Sequence, residues 1–168
     1  KNIEKDLNTF RREIPDTALF TLYYNISTLY FGSREYHKSL SWINKIINHP
    51  KGISREDVQA WSRIVQILIH YELNTQDILP HLLVSTYRFL HKKKLLYKVE
   101  ESILRFIRRS GNIDTSQKAQ MDEFRRFRDE LVKITKDPNE KKAMEYFVLI
   151  SWLESKIENR PFAEMVRK

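Results

Sequence analysis

The sequence predicts an all-α fold, built as a stack of antiparallel helical hairpins. Apolar residues recur three and four positions apart along the chain of 168 residues, which is the spacing of one buried helix face. Only three glycines and five prolines are present, so turns are few and elements are long. A β-sandwich or barrel, which needs a turn about every 8–12 residues, is therefore disfavoured.

The composition is that of a single domain with a substantial core. A domain of about 150 residues buries roughly 68–70% of its unfolded surface, and 41% of this chain is hydrophobic. The longest apolar run, YFVLISWL at 146–153, is far shorter than the roughly 18 residues of a membrane span, so we expect no span. Cysteine is absent, which excludes disulfides and thiolate chemistry and fits a reducing compartment, so we expect a cytoplasmic protein. The chain begins without methionine and inside a helical pattern, so we expect it to be the C-terminal part of a longer protein.

The first half of the chain predicts four helices, separated by prolines and glycines. Pro15, the Gly32-Ser33 pair and the run from Pro50 to Gly52 interrupt the apolar periodicity. Ser54 with Asp57 resembles a capping box, in which two side chains bond the first backbone N–H groups of a helix. The four predicted helices cover about 1–14, 16–31, 34–48 and 54–73.

The second half predicts four more helices. Pro80 is tolerated only in the first turn of its helix. The sequence DPNE at 137–140 is the clearest helix start, with Asp137 at the N-cap, Pro138 at the first helical position and Glu140 able to reach back to the cap. These helices cover about 78–91, 95–109, 116–136 and 138–159.

The stretch LYYNISTLYFGSREYHKSLSWINKI, residues 22–46, is rich in bulky side chains yet keeps two serines twelve positions apart. Helices approach most closely where a small side chain lies at the crossing, so both serines are expected at one helix contact. This arrangement resembles a tetratricopeptide repeat, with serine in place of the usual glycine or alanine. The repeat positions fall on Ser27, Tyr30, Ser39, Ile43 and Ile46.

The resemblance extends to domain organisation. The stretches HYELNTQDILPHLLVSTYRFL and YFVLISWLESKIENRPFAEMVRK are similar to the C-terminal region of bacterial tetratricopeptide-repeat proteins of unassigned role. It implies one superhelical domain over 1–168, with a concave binding face and a terminal cap. The implied parts are the end of a preceding repeat (1–14), the best hairpin (16–50), a second hairpin (54–91), basic helices (95–136) and a capping helix (138–168).

Signals for catalysis are weak. His70 and His81 flank one turn, but no histidine occurs in a metal-ligand motif, and hydrogen-bonded histidines are the simpler interpretation. Glu100 and Glu101 are adjacent on a helix and point about 100° apart, which is poor geometry for paired acid–base work. No glycine-rich loop could cradle a phosphate. We therefore predict a non-enzyme with no metal and no cofactor.

The net charge of +8 is concentrated in one third of the chain. Residues 88–142 contain 16 Lys and Arg against 9 Asp and Glu. Three interpretations stay open: a solvated helix surface with pairs such as Asp129–Lys133, a surface for an acidic protein or peptide, and a nucleic-acid surface. The candidate residues on one face of the helix at 95–109 are Lys94, Lys98, Arg105 and Arg109.

The predicted function is a non-catalytic protein–protein interaction module at the C-terminal end of a larger helical-repeat scaffold. Candidate partner-binding residues on the inner surface of the early hairpins are Tyr23, Asn25 and Lys45. Asn25 is the best single candidate, because its amide could bond the backbone of a bound peptide. The alternative function is RNA or other nucleic-acid binding through the basic helices at 92–136.

Overall fold

The computed structural model describes residues 14–49, 55–111 and 116–166, and all regular structure in these ranges is helical. The prediction of an all-α fold is therefore confirmed for this part of the chain. The stripe predicted over 1–14, apart from Ile14, and the capping serine Ser54 lie outside it. In chain order the helices are α1 (Asp16–Gly32), α2 (Tyr36–Ile47), α3 (Glu56–Glu72), α4 (Leu79–Lys93), α5 (Lys98–Ser110), α6 (Gln117–Ile134), α7 (Pro138–Lys141), a 3-10 turn (Lys142–Glu145), α8 (Leu149–Ile157) and α9 (Phe162–Met165).

The six long helices pack in chain order, each on the next. Helix α3 also contacts both α1 and α5, so these three form one layer and the intervening helices lie beside it. Contacts between helix ends fix the directions: Tyr36 at the start of α2 bonds Glu72 at the end of α3, and Lys93 at the end of α4 bonds Glu56 at the start of α3. Neighbouring helices in α1–α4 are thus antiparallel, as short connections require. Among the described helices, none is long and apolar enough to cross a bilayer.

Four helices end in the same type of turn. The N–H of the residue after the turn returns to a carbonyl five positions earlier, as Glu35 N–H does to Tyr30 O at 2.9 Å. This motif requires a left-handed residue, which is usually glycine. Here the left-handed residues after α1, α3, α4 and α8 are Arg34, Asn74, Lys94 and Asn159. Arg34 and Lys94 each cost roughly 1 kcal/mol in this conformation, because their Cβ atoms crowd the backbone.

Ser27 and Ser39 meet at the contact between α1 and α2. Both are fully buried. Their hydroxyl groups lie 2.9 Å apart, and each also donates to the other residue's carbonyl oxygen, at 3.0 and 2.8 Å. The predicted close crossing is therefore present, and the serines add hydrogen bonds that glycine or alanine could not supply. Ile43 and Ile46 are fully buried beside them, whereas Tyr30 is half-buried.

Helix α5 begins at Lys98, three residues later than predicted. Its first backbone N–H groups, those of Lys98 and Val99, donate to the Glu140 carboxylate at 3.2 and 3.1 Å. Glu140 was expected to cap its own helix, and that expectation is wrong because its carboxylate instead reaches across to α5. Asp137 caps α7 as predicted, accepting from Asn139 N–H at 2.9 Å.

The single helix predicted from 138 to 159 is wrong. The chain forms α7, a 3-10 turn and α8, with a break over 146–148. At the break, Tyr146 stacks on Trp61 with ring centroids 5.6 Å apart, and Phe147 packs edge-on against Phe31 at 5.1 Å. Adjacent residues of one helix point about 100° apart. Because of the break, the Tyr146 ring contacts α3 while the Phe147 ring contacts α1.

Residues 138–166, called here the closing segment, lie across the layer of α1, α3 and α5. Tyr24 of α1 donates to the Tyr146 carbonyl at 2.8 Å, and Tyr146 donates to Asp57 of α3 at 2.7 Å. Trp152 packs against aromatic rings of α3, α5 and α6. The closing segment therefore contacts α1, α3 and α5 as well as α6, and its role as a terminal cap stays a prediction.

We expect substitutions at the serine pair to separate packing from hydrogen bonding. Ser27→Leu or Ser39→Leu should overpack the crossing and lower the free energy of unfolding by roughly 1–3 kcal/mol. Ser27→Ala should cost less, roughly 0.5–1.5 kcal/mol, because one buried hydrogen bond is lost while Ser39 still donates to the residue 27 carbonyl. Urea denaturation measures both. Ser41→Leu, at an exposed site of α2, is the control, and equal stability of all variants would contradict the crossing.

Candidate interaction site

The three residues predicted for the inner surface do not lie together. Tyr23 is only 8% exposed and packs against Phe20 and Trp42. Lys45 is exposed, with its ammonium nitrogen 3.8 Å from the centroid of the Trp42 ring and 5.8 Å from that of Tyr23. Tyr23 is therefore a core residue, and Lys45 covers the edge of the same aromatic cluster by a cation–π contact.

Asn25 is exposed and lines a different feature, a groove of about 470 Å³ between α1 and the closing segment. Large apolar side chains are exposed around this groove: Leu29 is 71%, Val166 47% and Val148 43% exposed. Neither Tyr23 nor Lys45 is among its lining residues. The structure therefore places the best sequence candidate beside an exposed apolar cluster that the sequence did not predict.

Aromatic packing shapes the floor of this groove. Phe147 and Phe162 line it and stack on each other with ring centroids 6.1 Å apart. Both rings meet Phe31 edge-on, at 5.1 and 6.1 Å. These three side chains are buried, so the groove has a fixed floor and an exposed apolar rim. No local sequence signal could have found it, because its two sides are more than 100 residues apart in the chain.

The basic candidates do not form one stripe on α5. Lys94 precedes the helix and is the left-handed residue that ends α4. Arg105 pairs with Glu130 of α6 at 3.3 Å. Arg109 is half-buried and pairs with Glu123 at 2.8 Å and Glu130 at 3.9 Å. Lys94 therefore lies outside α5, and carboxylates of α6 pair with two of the other three candidates.

The C-terminal ends of α1, α3, α5 and α8 meet at a cleft of about 540 Å³. The Glu72 side chain lies in this cleft with 7% exposure. It accepts hydrogen bonds from the Tyr36 hydroxyl at 3.1 Å, the Trp152 indole at 2.6 Å and the Lys156 ammonium at 2.6 Å. Burial and the neighbouring Glu72 carboxylate raise the pKa of Tyr36 well above its usual value. Three donors from α2 and α8 satisfy this carboxylate, so its role is structural.

Glu100 is a second buried carboxyl, and it differs from its neighbour Glu101, which is exposed. Its side chain lies in the first turn of α5, close to Glu140, and its Oε2 atom has no hydrogen-bond partner. Burial raises the pKa of Glu100 to about 7, and repulsion from Glu140 adds to this, while hydrogen bonds from backbone groups of the first turn oppose it. The ionised form is therefore held in the folded protein at a cost in stability.

His70, one of the two histidines that flank a turn, takes a hydrogen-bonding position. His70 is 8% exposed, and its Nδ1 lies 2.8 Å from the Thr75 hydroxyl. Burial lowers the pKa of His70. His81 is exposed on α4. In residues 14–49, 55–111 and 116–166, no group of three or more acidic, histidine or cysteine side chains is arranged to hold a metal ion.

We expect stability to fall as pH rises through 7 because of Glu100. The folded pKa of about 7 lies above the ordinary value of 4.5, so the folded state holds this proton more tightly than the unfolded chain does. The stabilisation is present below pH 4.5 and is lost as pH rises through 7. Between pH 5 and pH 8 the loss should be roughly 2 kcal/mol.

The measurement is urea denaturation of the parent protein and Glu100→Gln at both pH values. The variant should match the parent at pH 5 and exceed it at pH 8, because glutamine stays neutral. Glu101→Gln is the matched control and should follow the parent at both. A Glu100→Gln variant with the parent's pH dependence would show that this carboxyl is not the responsible group.

Comparison with known proteins gives no match for this chain among family models, curated proteins or solved structures. The resemblance to tetratricopeptide repeats therefore stays a prediction from the residues. The evidence for function therefore comes from the helical architecture and from the groove between α1 and the closing segment.

Proposed function

We propose that this chain is a non-catalytic protein-interaction module, the C-terminal part of a larger helical-repeat scaffold. It binds a short peptide segment of a partner protein in the groove between α1 and the closing segment. The observation that carries the proposal is the exposed apolar rim, above all Leu29 at 71% exposure.

The clustering of the exposed apolar residues supports binding. Single apolar side chains on a surface are normal and need no explanation. Here Leu29 of α1 and Val148 and Val166 of the closing segment surround one preformed groove of about 470 Å³. This volume lies within the range of roughly 300–1,000 Å³ that is typical of ligand sites. Water is displaced from all three side chains when a partner's apolar group enters.

Polar groups at the groove favour a peptide with a basic flank. Asn25 offers an amide that can both donate to and accept from a peptide backbone. Among the described residues of the lining, Glu145 is the one charged side chain, and it is exposed at the rim. A partner segment with one or two large apolar side chains beside a lysine or arginine would match this chemistry. An acidic stretch of the same partner could also contact Lys94 and Lys98, which are exposed.

The scaffold part of the proposal rests on the α1–α2 hairpin. Its buried serine pair occupies the two positions where a tetratricopeptide repeat has small residues. The six long helices also pack in chain order. Sequential packing of helical hairpins is the construction principle of repeat scaffolds, which serve mainly as binding platforms.

Nucleic-acid binding through residues 92–136 is the weaker alternative. Arg105, Arg109 and Arg126 form ion pairs with Glu123 and Glu130, with N–O distances of 2.8–3.3 Å. Phosphate contacts need cations that can exchange their counterions. Lys94 and Lys98 remain exposed, but they lie on opposite sides of the α4–α5 connection rather than along one helix.

We expect Leu29→Glu and Val148→Glu to abolish peptide binding without unfolding the protein, because both side chains are exposed. A displayed library of random peptides selected against the parent protein supplies the ligands, and fluorescence anisotropy measures their affinity. Val132→Glu on α6 is the matched control, since Val132 is 45% exposed and lies away from the groove. If the selected peptides bind Leu29→Glu as tightly as the parent, the groove is not the binding site.

We expect the protein to bind single-stranded RNA weakly, with little change in Lys94→Gln/Lys98→Gln. Both lysines are exposed, so the double variant should lose well under about 1 kcal/mol of stability. A titration of labelled random RNA at low and physiological salt makes the measurement. Tight binding by the parent, with a salt slope that falls by roughly 0.7 per lost contact in the variant, would favour the nucleic-acid alternative.

A further inference from the structure

A further cavity, distinct from the groove and from the cleft around Glu72, lies between α3, the start of α5 and the α7–3-10 region. Its volume is about 540 Å³. Three aromatic residues line it: Trp61, Tyr97 and Tyr146. Trp61 is buried and stacks on Tyr146, with the two ring planes 4° apart. Tyr146 is held in place because its hydroxyl donates to Asp57 at 2.7 Å and its carbonyl accepts from Tyr24 at 2.8 Å. The aromatic wall is therefore fixed before any ligand arrives.

The same cavity is acidic, although the protein as a whole has a net charge of +8. Among the described residues of its lining, Lys142 is the one cation, and it is exposed. The lining carboxylates are Asp57, Glu100, Asp137 and Glu140. Such a local reversal of the overall charge concentrates cations at this point of the surface.

The four carboxylates differ in how completely protein groups satisfy them. Asp57 accepts from Arg55 at 2.6 Å and from Tyr146 at 2.7 Å. Glu140 accepts from the backbone of α5, and Asp137 caps α7. Glu100 is only partly satisfied: backbone groups of the first turn of α5 bond its carboxylate, but its Oε2 atom has no hydrogen-bond partner in a side chain that is 4% exposed. A buried polar atom without a partner is costly, and a ligand that donates a hydrogen bond to it would offset that cost.

Tyr97 gives a further reason to treat the cavity as a binding site. It is the N-cap residue of α5, a position that favours serine, threonine, aspartate or asparagine, and its side chain makes no capping bond. Glu140 supplies the capping from another part of the chain instead. The Tyr97 ring is 50% exposed and stands at the cavity. Position 97 therefore has no capping side chain and instead places an aromatic ring at the cavity.

We propose that this cavity binds an alkylammonium group, with the charge recognised by Glu100 and by the faces of Trp61, Tyr97 and Tyr146. Aromatic rings attract organic cations through their negative faces, most strongly where water is excluded. A carboxylate in a partly desolvated site adds a charge interaction that is stronger than in water. The group comes either from a lysine side chain of a protein or from a free polyamine, since both present the same chemistry.

Isothermal titration calorimetry of the whole chain at low ionic strength tests the proposal. n-Butylammonium, which carries the N–H donors of a lysine side chain, should bind saturably, and 1-butanol, which is neutral and similar in shape, should not. Glu100→Gln should weaken binding by roughly tenfold or more, and Tyr97→Ala by about 2- to 30-fold. Spermidine and Nα-acetyl-lysine methylamide then distinguish the two sources, because the tighter of them identifies the natural class.

Matched controls separate a binding role from a structural one. Glu101→Gln removes the adjacent exposed carboxylate, and Tyr87→Ala removes a tyrosine of similar exposure, 45%, on α4. Both should keep the parent affinity for n-butylammonium. Binding of 1-butanol as tight as that of the cation, or a parent-like affinity in Glu100→Gln, would overturn the proposal.

Discussion

Glu72 ends α3 with its carboxylate buried between α2 and α8, where the Tyr36 hydroxyl, the Trp152 indole and the Lys156 ammonium all donate to it. A buried carboxylate is costly unless it is paired and hydrogen-bonded. The bonds to Glu72 therefore fix the positions of the three donor side chains. Two of them come from the closing segment. The segment therefore lies over the α1–α3–α5 layer in one position only, and both the groove and the aromatic cavity depend on that position.

Because the closing segment covers this layer, both proposed binding sites lie at the edges of the segment. Tyr146, Phe147 and Trp152 fill the space over α1, α3 and α5 with aromatic contacts. Two features stay open. One is the groove beside α1, which is lined by Leu29, Val148 and Val166, and the other is the cavity beside α5, which is lined by Glu100. Both sites are thus lined partly by the closing segment, and any ligand at either site stabilises its docked state.

The electrostatics follow the same division. Of the nine cationic side chains on α5 and α6, five form ion pairs with carboxylates of α6. Around Glu100 the reverse holds, and a carboxyl group is buried beside Glu140 without a cation to offset it. Local arrangements that cost stability tend to mark functional sites, where a ligand supplies the missing interaction.

The sequence alone determined the features that depend on neighbouring residues. Apolar spacing defined α1–α6 within a few residues, DPNE placed the cap at Asp137, and Ser27 and Ser39 located the crossing of α1 and α2. Each of these follows from local backbone chemistry or from two elements joined by a short turn. Tertiary structure alone decided the break at 146–148, the partner of Glu140 and the pairing of Arg109 with Glu123. The tertiary structure also decided that Asn25 lines the groove, because Val148, which lines it too, is more than 120 positions away in the chain. Helical periodicity specifies which face of a helix is buried, but it carries no information about which distant segment covers that face.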